Sequence, residues 1–158
     1  MIPVNVKCVA YDASGNPIIL LTDQEDKKVL PIWVGALEAH AIAVALENIT
    51  MSRPLTHDLL KNICTILGAK ISHIVITDLH ENTFYAEIHI CASGKEMVID
   101  ARPSDAIALA LRTSAPVFVL QKLSEHMLQI KDILEEEMED ELLQITNTFL
   151  KDNKKAIH

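Results

Sequence analysis

The chain contains Ser52-Arg53-Pro54-Leu55-Thr56-His57-Asp58-Leu59-Leu60 and, further on, Ala101-Arg102-Pro103-Ser104-Asp105-Ala106-Ile107-Ala108. Both segments place Arg-Pro ahead of a hydroxyl residue and an aspartate, and an apolar run follows. Hydroxyl side chains favour the N-cap of a helix, and an aspartate in the first turn interacts favourably with the helix dipole. We therefore predict that a helix begins at each segment, with Thr56 and Ser104 as its cap.

The two arginines of these segments each stand just before a proline, which disfavours helical geometry in the residue that precedes it. Each guanidinium is therefore expected beside a helix N-terminus. Such an end favours anions, and arginine suits bidentate contact with phosphate. The sequence thus predicts phosphate contacts at Arg53, Arg102, Thr56 and Ser104. The alternative is that each arginine only pairs with a nearby aspartate.

The bulk composition is typical of a globular protein. The 158 residues suffice for one domain with its own core, and 49% are hydrophobic and 23% charged. No apolar run is long enough to cross a bilayer, and the first residues lack the pattern of a signal peptide. We expect a cytoplasmic protein with no membrane partner.

The formal net charge of −8 comes mostly from one stretch. Residues 125–142 contain eight acidic residues and one basic residue, which together supply −7. Proteins that bind nucleic acid usually carry a basic face, and the composition does not indicate one. Because the rest of the chain is close to neutral, the net charge argues only weakly against a phosphate-bearing ligand.

The sequence lacks several familiar site motifs. Cys8, Cys64 and Cys91 are far apart and form no CxxC pair, which argues against a zinc site or a disulfide framework and favours buried free thiols. There is no GxxxxGK[ST], GxGxxG, HExxH or GxSxG motif. We therefore expect no organic cofactor.

Apolar periodicity and turn residues predict the elements of the fold. A helix at 36–49 has few polar positions, which is typical of burial on several sides. From Ser124 an apolar residue recurs every three or four positions as far as Phe149, which predicts one amphipathic helix with an acidic outer face. Strands are predicted at 4–11, 18–22, 29–34, 70–77, 83–91, 95–100 and 117–120, and further helices at 56–67 and 104–113.

These elements predict an α+β fold, a single domain whose mixed and mostly antiparallel sheet is packed with helices. Two strand–Arg-Pro–helix units indicate a pseudo-duplication. We expect residues 1–122 to form the domain and residues 123–158 to form the acidic helix and a polar tail. The apolar helix, an edge strand implied by Pro31 and the C-terminal stripe favour a homodimer or a higher homo-oligomer.

Three motifs in this order resemble the bifunctional nuclease family, over roughly residues 1–122. They are Leu30-Pro31-Ile32-Trp33-Val34-Gly35 followed by Glu38-Ala39, then Arg53-Pro54-Leu55-Thr56-His57-Asp58-Leu59, and finally Asp100-Ala101-Arg102-Pro103-Ser104-Asp105-Ala106-Ile107-Ala108-Leu109-Ala110. Plant members of that family are described as cleaving both RNA and DNA, so the resemblance implies a nuclease and a nucleic acid substrate. Some members carry a C-terminal UVR-like helical segment, which residues 124–150 do not clearly match.

Four side chains are candidates for catalysis. His57 can act as a general base or acid near neutral pH. Glu38, Asp58 and Asp105 can handle protons or supply the oxygen ligands of Mg²⁺ or Mn²⁺. The alternative is structural: Asp58 only caps a helix, and His57 packs or bonds a backbone carbonyl.

Two functions remain open from the sequence. One is a nuclease that hydrolyses DNA and RNA with low sequence specificity, assisted by a divalent metal. The other is a non-catalytic, homo-oligomeric binding or regulatory module whose Arg-Pro motifs are structural. The nuclease predicts that the candidate side chains are accessible in one cleft, and the module predicts that they are buried and mutually paired. Trp33 can stack a nucleobase, although a place in the core or at an interface is more common for tryptophan.

Overall fold

The computed structural model describes residues 1–137 and residue 140. The eight strands of this part of the chain are β1 Ile2–Tyr11, β2 Pro17–Asp23, β3 Lys28–Trp33, β4 Ala69–His80, β5 Thr83–Ala92, β6 Lys95–Ala101, β7 Val117–Val119 and β8 Leu128–Gln129. Its first three α-helices are α1 Ala36–Leu46, α2 Thr56–Ile66 and α3 Pro103–Thr113, and a 3₁₀ helix follows at Gln121–His126.

All strands belong to one sheet with the order β6-β5-β4-β7-β1-β2-β3-β8. Every neighbouring pair is antiparallel except β4 and β7, which run parallel. The expected α+β fold, with a mixed and mostly antiparallel sheet in a single domain, is confirmed. None of the described helices combines the length and the hydrophobicity that a bilayer crossing requires.

Short turns explain the antiparallel pairs. Between β5 and β6, Ser93 and Gly94 both have positive φ angles, 50° and 73°. Glu81 and Asn82, between β4 and β5, have φ angles of 48° and 60°. Two successive positive φ angles are the geometry of a type I′ turn, whose twist matches that of the strands it joins. The three strands β4, β5 and β6 therefore form a tight meander.

The core lies between the sheet and the helices. Alternate residues of the strands point to this side, as Ile19 and Leu21 do on β2 and as Ile74 and Ile76 do on β4, and all four are completely buried. Helix α3 supplies Ile107 along with a run of small alanines, which allow the helix to approach the sheet closely. The predicted helix at 36–49 ends earlier, at Leu46, because Asn48 adopts a left-handed φ of 53°.

The fold contains an internal repeat, but the repeat differs from the predicted one. A three-strand meander followed by a helix occurs twice, as β1-β2-β3-α1 and as β4-β5-β6-α3. Helix α1 and a loop, rather than a strand, precede the first Arg-Pro segment. The two Arg-Pro segments are therefore not equivalent, and the start of α1 at Gly35 is the counterpart of the start of α3 at Arg102.

The region after residue 120 also differs from the prediction of one helix beginning at Ser124. A 3₁₀ helix places Leu123 in the core, Met127 is buried as well, and β8 pairs with Lys28 and Val29 of β3. Helical geometry begins only at Ile130 and continues to residue 137. The rest of the predicted stripe, at Met138, Leu142, Ile145 and Phe149, lies outside the described residues. The division of the chain at residues 122 and 123 stays a prediction.

The three cysteines are free, as expected. Their burial was predicted wrongly, because Cys8 is exposed while Cys64 and Cys91 are partly buried. Cys8 sits next to a bulge in β1, where the pairing with β2 shifts between Val6 and Cys8. An extra residue of this kind changes which side chains face the core.

Candidate functional site

The N-terminal turns of α1, α2 and α3 lie around two adjoining clefts. The first, which we call the histidine cleft, has a volume of about 530 Å³ and is lined by Glu38 of α1, Leu55 and His57 at the start of α2, and Arg102 and Asp105 at the start of α3. The second, the tryptophan cleft, has a volume of about 310 Å³ and is lined in part by Trp33, Phe84 and Ser104. Glu38 and Arg102 line both clefts and form the ridge between them.

Each of the three helices carries a carboxylate at the third position of its first turn. The N-caps are Gly35, Leu55 and Arg102, and the acidic residues follow three positions later as Glu38, Asp58 and Asp105. Helix N-termini present free N–H groups and a partial positive charge, which carboxylates stabilise. This common pattern explains why three acidic side chains lie near one place in the fold.

Thr56 and Ser104 were predicted to cap these helices, and the structure contradicts that role. The caps are Leu55 and Arg102, which have no side-chain capping hydrogen bond. Thr56 is exposed and lines the histidine cleft, whereas Ser104 is buried and lines the tryptophan cleft. The proline before Ser104 occupies the first helical position, where a missing N–H costs nothing.

Arg102 binds two carboxylates on the ridge between the clefts. Its Nε donates to Asp105 Oδ2 at 2.7 Å, and its Nη1 donates to Glu38 Oε1 at 2.9 Å. The side chain is nevertheless 65% exposed. A guanidinium has five N–H donors, so three are left to face the clefts. The two carboxylates raise the pKa of Arg102, with Asp105 contributing more than Glu38.

His57 forms the second contact of Asp105. The ring Nε2 lies 3.0 Å from Asp105 Oδ1, and the histidine is buried. Burial by itself raises the pKa of Asp105, but hydrogen bonds from Arg102 and His57 outweigh it and lower the pKa below its ordinary value. The carboxylate is therefore ionised at neutral pH. An ionised carboxylate only accepts, so Nε2 carries a hydrogen and donates to it.

The other ring nitrogen of His57, Nδ1, belongs to a residue that lines the histidine cleft. Nδ1 makes no hydrogen bond with any described residue. Among the described residues, only Thr22 Oγ1 is a fully buried side-chain polar atom without a hydrogen-bond partner, so Nδ1 is not fully enclosed. In neutral histidine, a donor at Nε2 makes Nδ1 an acceptor. The arrangement leaves an acceptor nitrogen without a partner on a residue that lines the cleft.

Asp58 is engaged elsewhere, although it is the neighbour of His57 in the sequence. Its Oδ2 accepts the backbone N–H of Leu55 at 2.8 Å, and its Oδ1 accepts from Arg112 Nε at 2.8 Å. The Leu55 N–H, followed by Arg112, lowers the pKa of Asp58 despite some desolvation. Arg112 is only 6% exposed and also donates to the carbonyl oxygens of Ala41 and Ala108. Arg112 therefore ties the three helices together, with Asp58 as its counterion.

Arg53 lies outside this network. It is exposed, and it makes no hydrogen bond or ion pair with the described residues. Of the predicted site residues, the structure thus brings Glu38, His57, Arg102 and Asp105 into direct contact, and it places Thr56 and Ser104 on the cleft walls.

The predicted metal ligands do not form a ready site for a divalent ion. No group of three or more His, Cys, Asp or Glu side chains within residues 1–137 and 140 is placed to hold a metal. Both oxygens of Asp58 and both oxygens of Asp105 already accept hydrogen bonds. A metal at these residues would therefore compete with Arg102 and Arg112 for the carboxylate oxygens, and metal binding stays a prediction from the sequence.

Sequence reasoning missed two parts of the site. It did not identify Arg112, whose position in the last turn of α3 resembles that of any dipole-complementing base. It also gave His57 no side-chain partner, whereas the structure pairs it with Asp105, 48 positions away. The repeated acidic residue in each first turn was the available signal, since helix starts that share a pattern can share a location.

Comparison with known proteins adds an independent finding. A family model described as the bifunctional nuclease domain matches residues 19–131, a range that holds every residue lining the two clefts. An uncharacterized protein of Mycobacterium tuberculosis (strain H37Rv) is 38% identical over 122 residues, which cover 77% of this chain and 73% of that protein. Bifunctional nuclease 1 of Oryza sativa subsp. japonica is 26% identical over 132 residues, and Bifunctional nuclease 2 of Arabidopsis thaliana is 25% identical over 115. These alignments cover 76% and 71% of this chain, but only 40% and 35% of the two plant proteins.

Proposed function

Because the chain belongs to the bifunctional nuclease domain family, we propose that it hydrolyses phosphodiester bonds in DNA and RNA with low sequence specificity. One observation carries the proposal: Asp105 holds His57 and Arg102 together at the histidine cleft. A base and a cation held side by side meet the two requirements of phosphodiester hydrolysis, which are activation of water and stabilisation of charge on phosphate.

In the proposed reaction, Nδ1 of His57 takes a proton from a water molecule as its oxygen attacks phosphorus. A bond forms between the water oxygen and phosphorus, and the bond from phosphorus to the leaving sugar oxygen breaks. The leaving oxygen takes its proton from solvent. Asp105 stabilises the imidazolium that forms, because its carboxylate accepts the Nε2 hydrogen.

Arg102 is the proposed phosphate contact. Its three remaining N–H donors face the clefts, and Glu38 and Asp105 fix the plane of the guanidinium. The nearby starts of α1 and α3 add favourable dipoles for an anion. Arg53 is exposed close to the start of α2 and is proposed to contact the substrate backbone further along, with Thr56 and Ser104 as hydrogen-bonding groups on the cleft walls.

The catalytic part of Asp58 in this proposal is indirect. Its oxygens are occupied by Leu55 N–H and Arg112, so it holds the first turn of α2 in place and thereby places His57. Dependence on Mg²⁺ or Mn²⁺ through Glu38, Asp58 and Asp105 stays a prediction from the sequence. The cleavage assay below decides it.

The test compares cleavage of single-stranded DNA and RNA by wild type, His57→Ala and Asp105→Asn, purified in parallel. We expect His57→Ala to lose about 10²- to 10⁴-fold in rate, the usual contribution of a general base. His80→Ala is the matched control, because His80 is strongly exposed and lines neither cleft. Reactions with Mg²⁺, Mn²⁺ or EDTA show whether a divalent ion is needed. Equal rates for wild type and His57→Ala would refute the proposal.

A second function is favoured by a different observation. Arg102 is paired with two carboxylates and Asp58 with Arg112, which is the mutual pairing expected of a non-catalytic homo-oligomeric module. Such a module would show no cleavage in any variant. In such a module His57 would support the fold and contact no ligand. His57→Ala would then bind the module's ligand as wild type does.

We also propose that the chain forms a homodimer through helix α2. Five aliphatic residues of this helix and its C-cap are exposed to solvent. They are Leu59, Leu60, Ile63, Ile66 and the C-cap residue Leu67, and they are between 42% and 82% exposed. Their spacing of one, three or four positions places them on one stripe. Five large aliphatic side chains on one helix exceed what single scattered surface residues explain, and such patches mark interfaces. A two-fold axis would bury the stripe against its own copy.

Finally, we propose a cytoplasmic location. The three cysteines Cys8, Cys64 and Cys91 form no disulfide, which suits a reducing compartment.

A further inference from the structure

The proposed reaction uses only Ser104 and the shared Glu38–Arg102 ridge of the tryptophan cleft and leaves its aromatic residues without a role. Trp33 forms one wall at the end of β3. Phe84, just after the tight turn between β4 and β5, also lines the cleft. The tryptophan cleft has a volume of about 310 Å³, which is at the lower end of the range of roughly 300–1,000 Å³ that small-molecule sites occupy. The cleft is therefore an aromatic-walled cavity beside an arginine.

Trp33 is exposed but held in place. The side chain belongs to a residue that is 56% exposed, and its Nε1–H donates to Asp12 Oδ2 at 3.1 Å. Asp12 is itself fixed, because it also accepts the backbone N–H groups of Ser14 and Asn16. The backbone of Asn16, followed by the indole of Trp33, lowers the pKa of Asp12 to about 2, so the acceptor stays ionised.

An exposed indole with its polar edge already satisfied offers an apolar face to a ligand. Because the ring is held before binding, little conformational entropy is lost when a flat partner stacks on it. Aromatic side chains of this kind, placed beside cationic groups that contact phosphate, are the usual platform for the bases of single strands. A base inside a duplex is already stacked on both faces and cannot offer a face in the same way.

Resting on the proposed function, we propose that Trp33 stacks an unpaired nucleobase whose adjoining phosphate is held by Arg102. The tryptophan cleft then takes the base, and the histidine cleft takes the phosphodiester to be cut. The ligand is a single-stranded nucleic acid, because the base must leave any duplex stack to enter one cleft while its phosphodiester lies in the other.

The chain offers a direct reporter, because Trp33 is its only tryptophan. We would titrate full-length His57→Ala with hexathymidylate and follow indole fluorescence. The two comparison ligands are an abasic deoxyribose-phosphate hexamer, which has the same charge but no bases, and a duplex containing the same thymidines. Hexathymidylate should quench the fluorescence, whereas the abasic hexamer and the duplex should not.

Affinity is measured separately with fluorescein-labelled hexathymidylate by anisotropy, so that variants without tryptophan can be compared. We expect Trp33→Leu to weaken binding about 5- to 100-fold, the range for the loss of one base stack. Trp33→Phe should recover most of that loss, because an aromatic face remains. Tyr85→Leu is the control, since Tyr85 is an exposed aromatic residue next to Phe84 that lines neither cleft.

Three results would overturn the inference: equal affinity for Trp33→Leu and its parent, equal quenching by the abasic hexamer, or no oligonucleotide binding by any form. The proposed nuclease activity can fail separately. If wild type cuts no substrate while hexathymidylate still quenches Trp33, the base site stands and the nuclease does not. If wild type cuts and Trp33→Leu cuts with an unchanged KM, the nuclease stands and the base site does not.

Discussion

The two arginines at the ends of α3 differ in solvent exposure, and this difference predicts a functional role for one and a structural role for the other. Arg102 and Arg112 each contact an aspartate at about the same distance, 2.7 Å and 2.8 Å. Arg102 is 65% exposed and keeps donors for a ligand, whereas Arg112 is 6% exposed and spends its donors on the protein. Ion pairs in water contribute little to stability, while breaking a buried one leaves unpaired groups behind.

This contrast predicts opposite effects of the same substitution. Arg112→Ala should lower the free energy of unfolding by about 3 kcal/mol, the lower end of the range for breaking a buried pair, since Asp58 stays partly exposed. Arg102→Ala should change it by less than about 1 kcal/mol while it abolishes oligonucleotide cleavage. Urea denaturation followed by circular dichroism measures both. A large loss of stability in Arg102→Ala would mean that the exposed pair is structural.

The acid dependence of stability follows from Asp58 and Asp105, whose pKa values are both lowered in the folded chain. A carboxyl with a lowered folded pKa contributes stability above its unfolded value, near 3.9, and loses that contribution as the pH falls through the folded value. We therefore expect Tm to fall as the pH decreases from about 5 towards 2.

Asp58→Asn tests this origin. The asparagine keeps an acceptor for Leu55 N–H but cannot ionise, so the variant should be less stable than wild type near pH 7 and approach it in acid. Glu47→Gln, an exposed position at the end of α1, is the control and should follow wild type throughout. A constant gap between Asp58→Asn and wild type at every pH would contradict the assignment. Differential scanning calorimetry across the pH series provides the measurement.

At the scale of the element, the start of α1 depends on a residue without a side chain. The Glu38 carboxylate folds back over Gly35, so that a Cβ at this position would collide with Oε2 of Glu38. The backbone of Gly35 has φ −74° and ψ 163°, which any residue adopts. Glycine is therefore needed here for the space above it and not for its conformational freedom.

Gly35→Ala should consequently act on the site and spare the fold. The alanine displaces only the end of a flexible side chain, and a less flexible unfolded chain offsets part of any cost, so Tm should change by only a few degrees. Arg102 loses its anchor on Glu38, and we expect weaker oligonucleotide binding and slower cleavage. Gly94→Ala at the β5–β6 turn is the comparison, with a positive φ of 73° and open space around it, and it should lower Tm without altering binding. If Gly35→Ala lowered Tm and kept wild-type binding, Glu38 would not be the residue that positions Arg102.

Helix α2 has an unusual orientation for an amphipathic helix. His57 is its buried residue, while the aliphatic stripe faces outward. Arg112 explains this orientation, because the pair with Asp58 and the contact of His57 with Asp105 fix the rotation of the helix on the body. The polar contacts of the site thus decide which face of α2 is left for a partner.

At the scale of the whole molecule, the exposed stripe predicts the oligomeric state. Wild type should sediment as a dimer, and the double variant Ile63→Lys, Ile66→Lys should sediment as a monomer. Burying the lysine charges in an apolar interface would cost more free energy than dimerisation releases. Leu128→Lys is the control, since Leu128 is also about half exposed but lies on β8 at the far edge of the sheet. Analytical ultracentrifugation over a range of concentrations tests this. A monomeric wild type, or a dimer that survives the double substitution, would refute the α2 interface.

The elements that the sequence predicted well are those in which a local pattern decides the structure. Alternation of apolar residues identified β1 to β7, and the Arg-Pro segments marked the starts of α2 and α3, because a strand or a helix start depends on neighbours in the chain. The 3₁₀ helix around Leu123 and the two-residue strand β8 were missed. Elements this short have no periodicity of their own, and packing against β3 and the core forms them.

The sequence by itself determined the fold class, the family resemblance and the residue types of the site, because periodicity, helix starts and motifs are local properties. Only the tertiary structure decided which charges meet. His57 with Asp105, Arg102 with Glu38, and Asp58 with Arg112 are separated by 48, 64 and 54 positions. Each pair forms because the two meander–helix units bring three helix N-termini together, and the distance between such termini depends on the sheet and the core beneath them rather than on the residues at the termini.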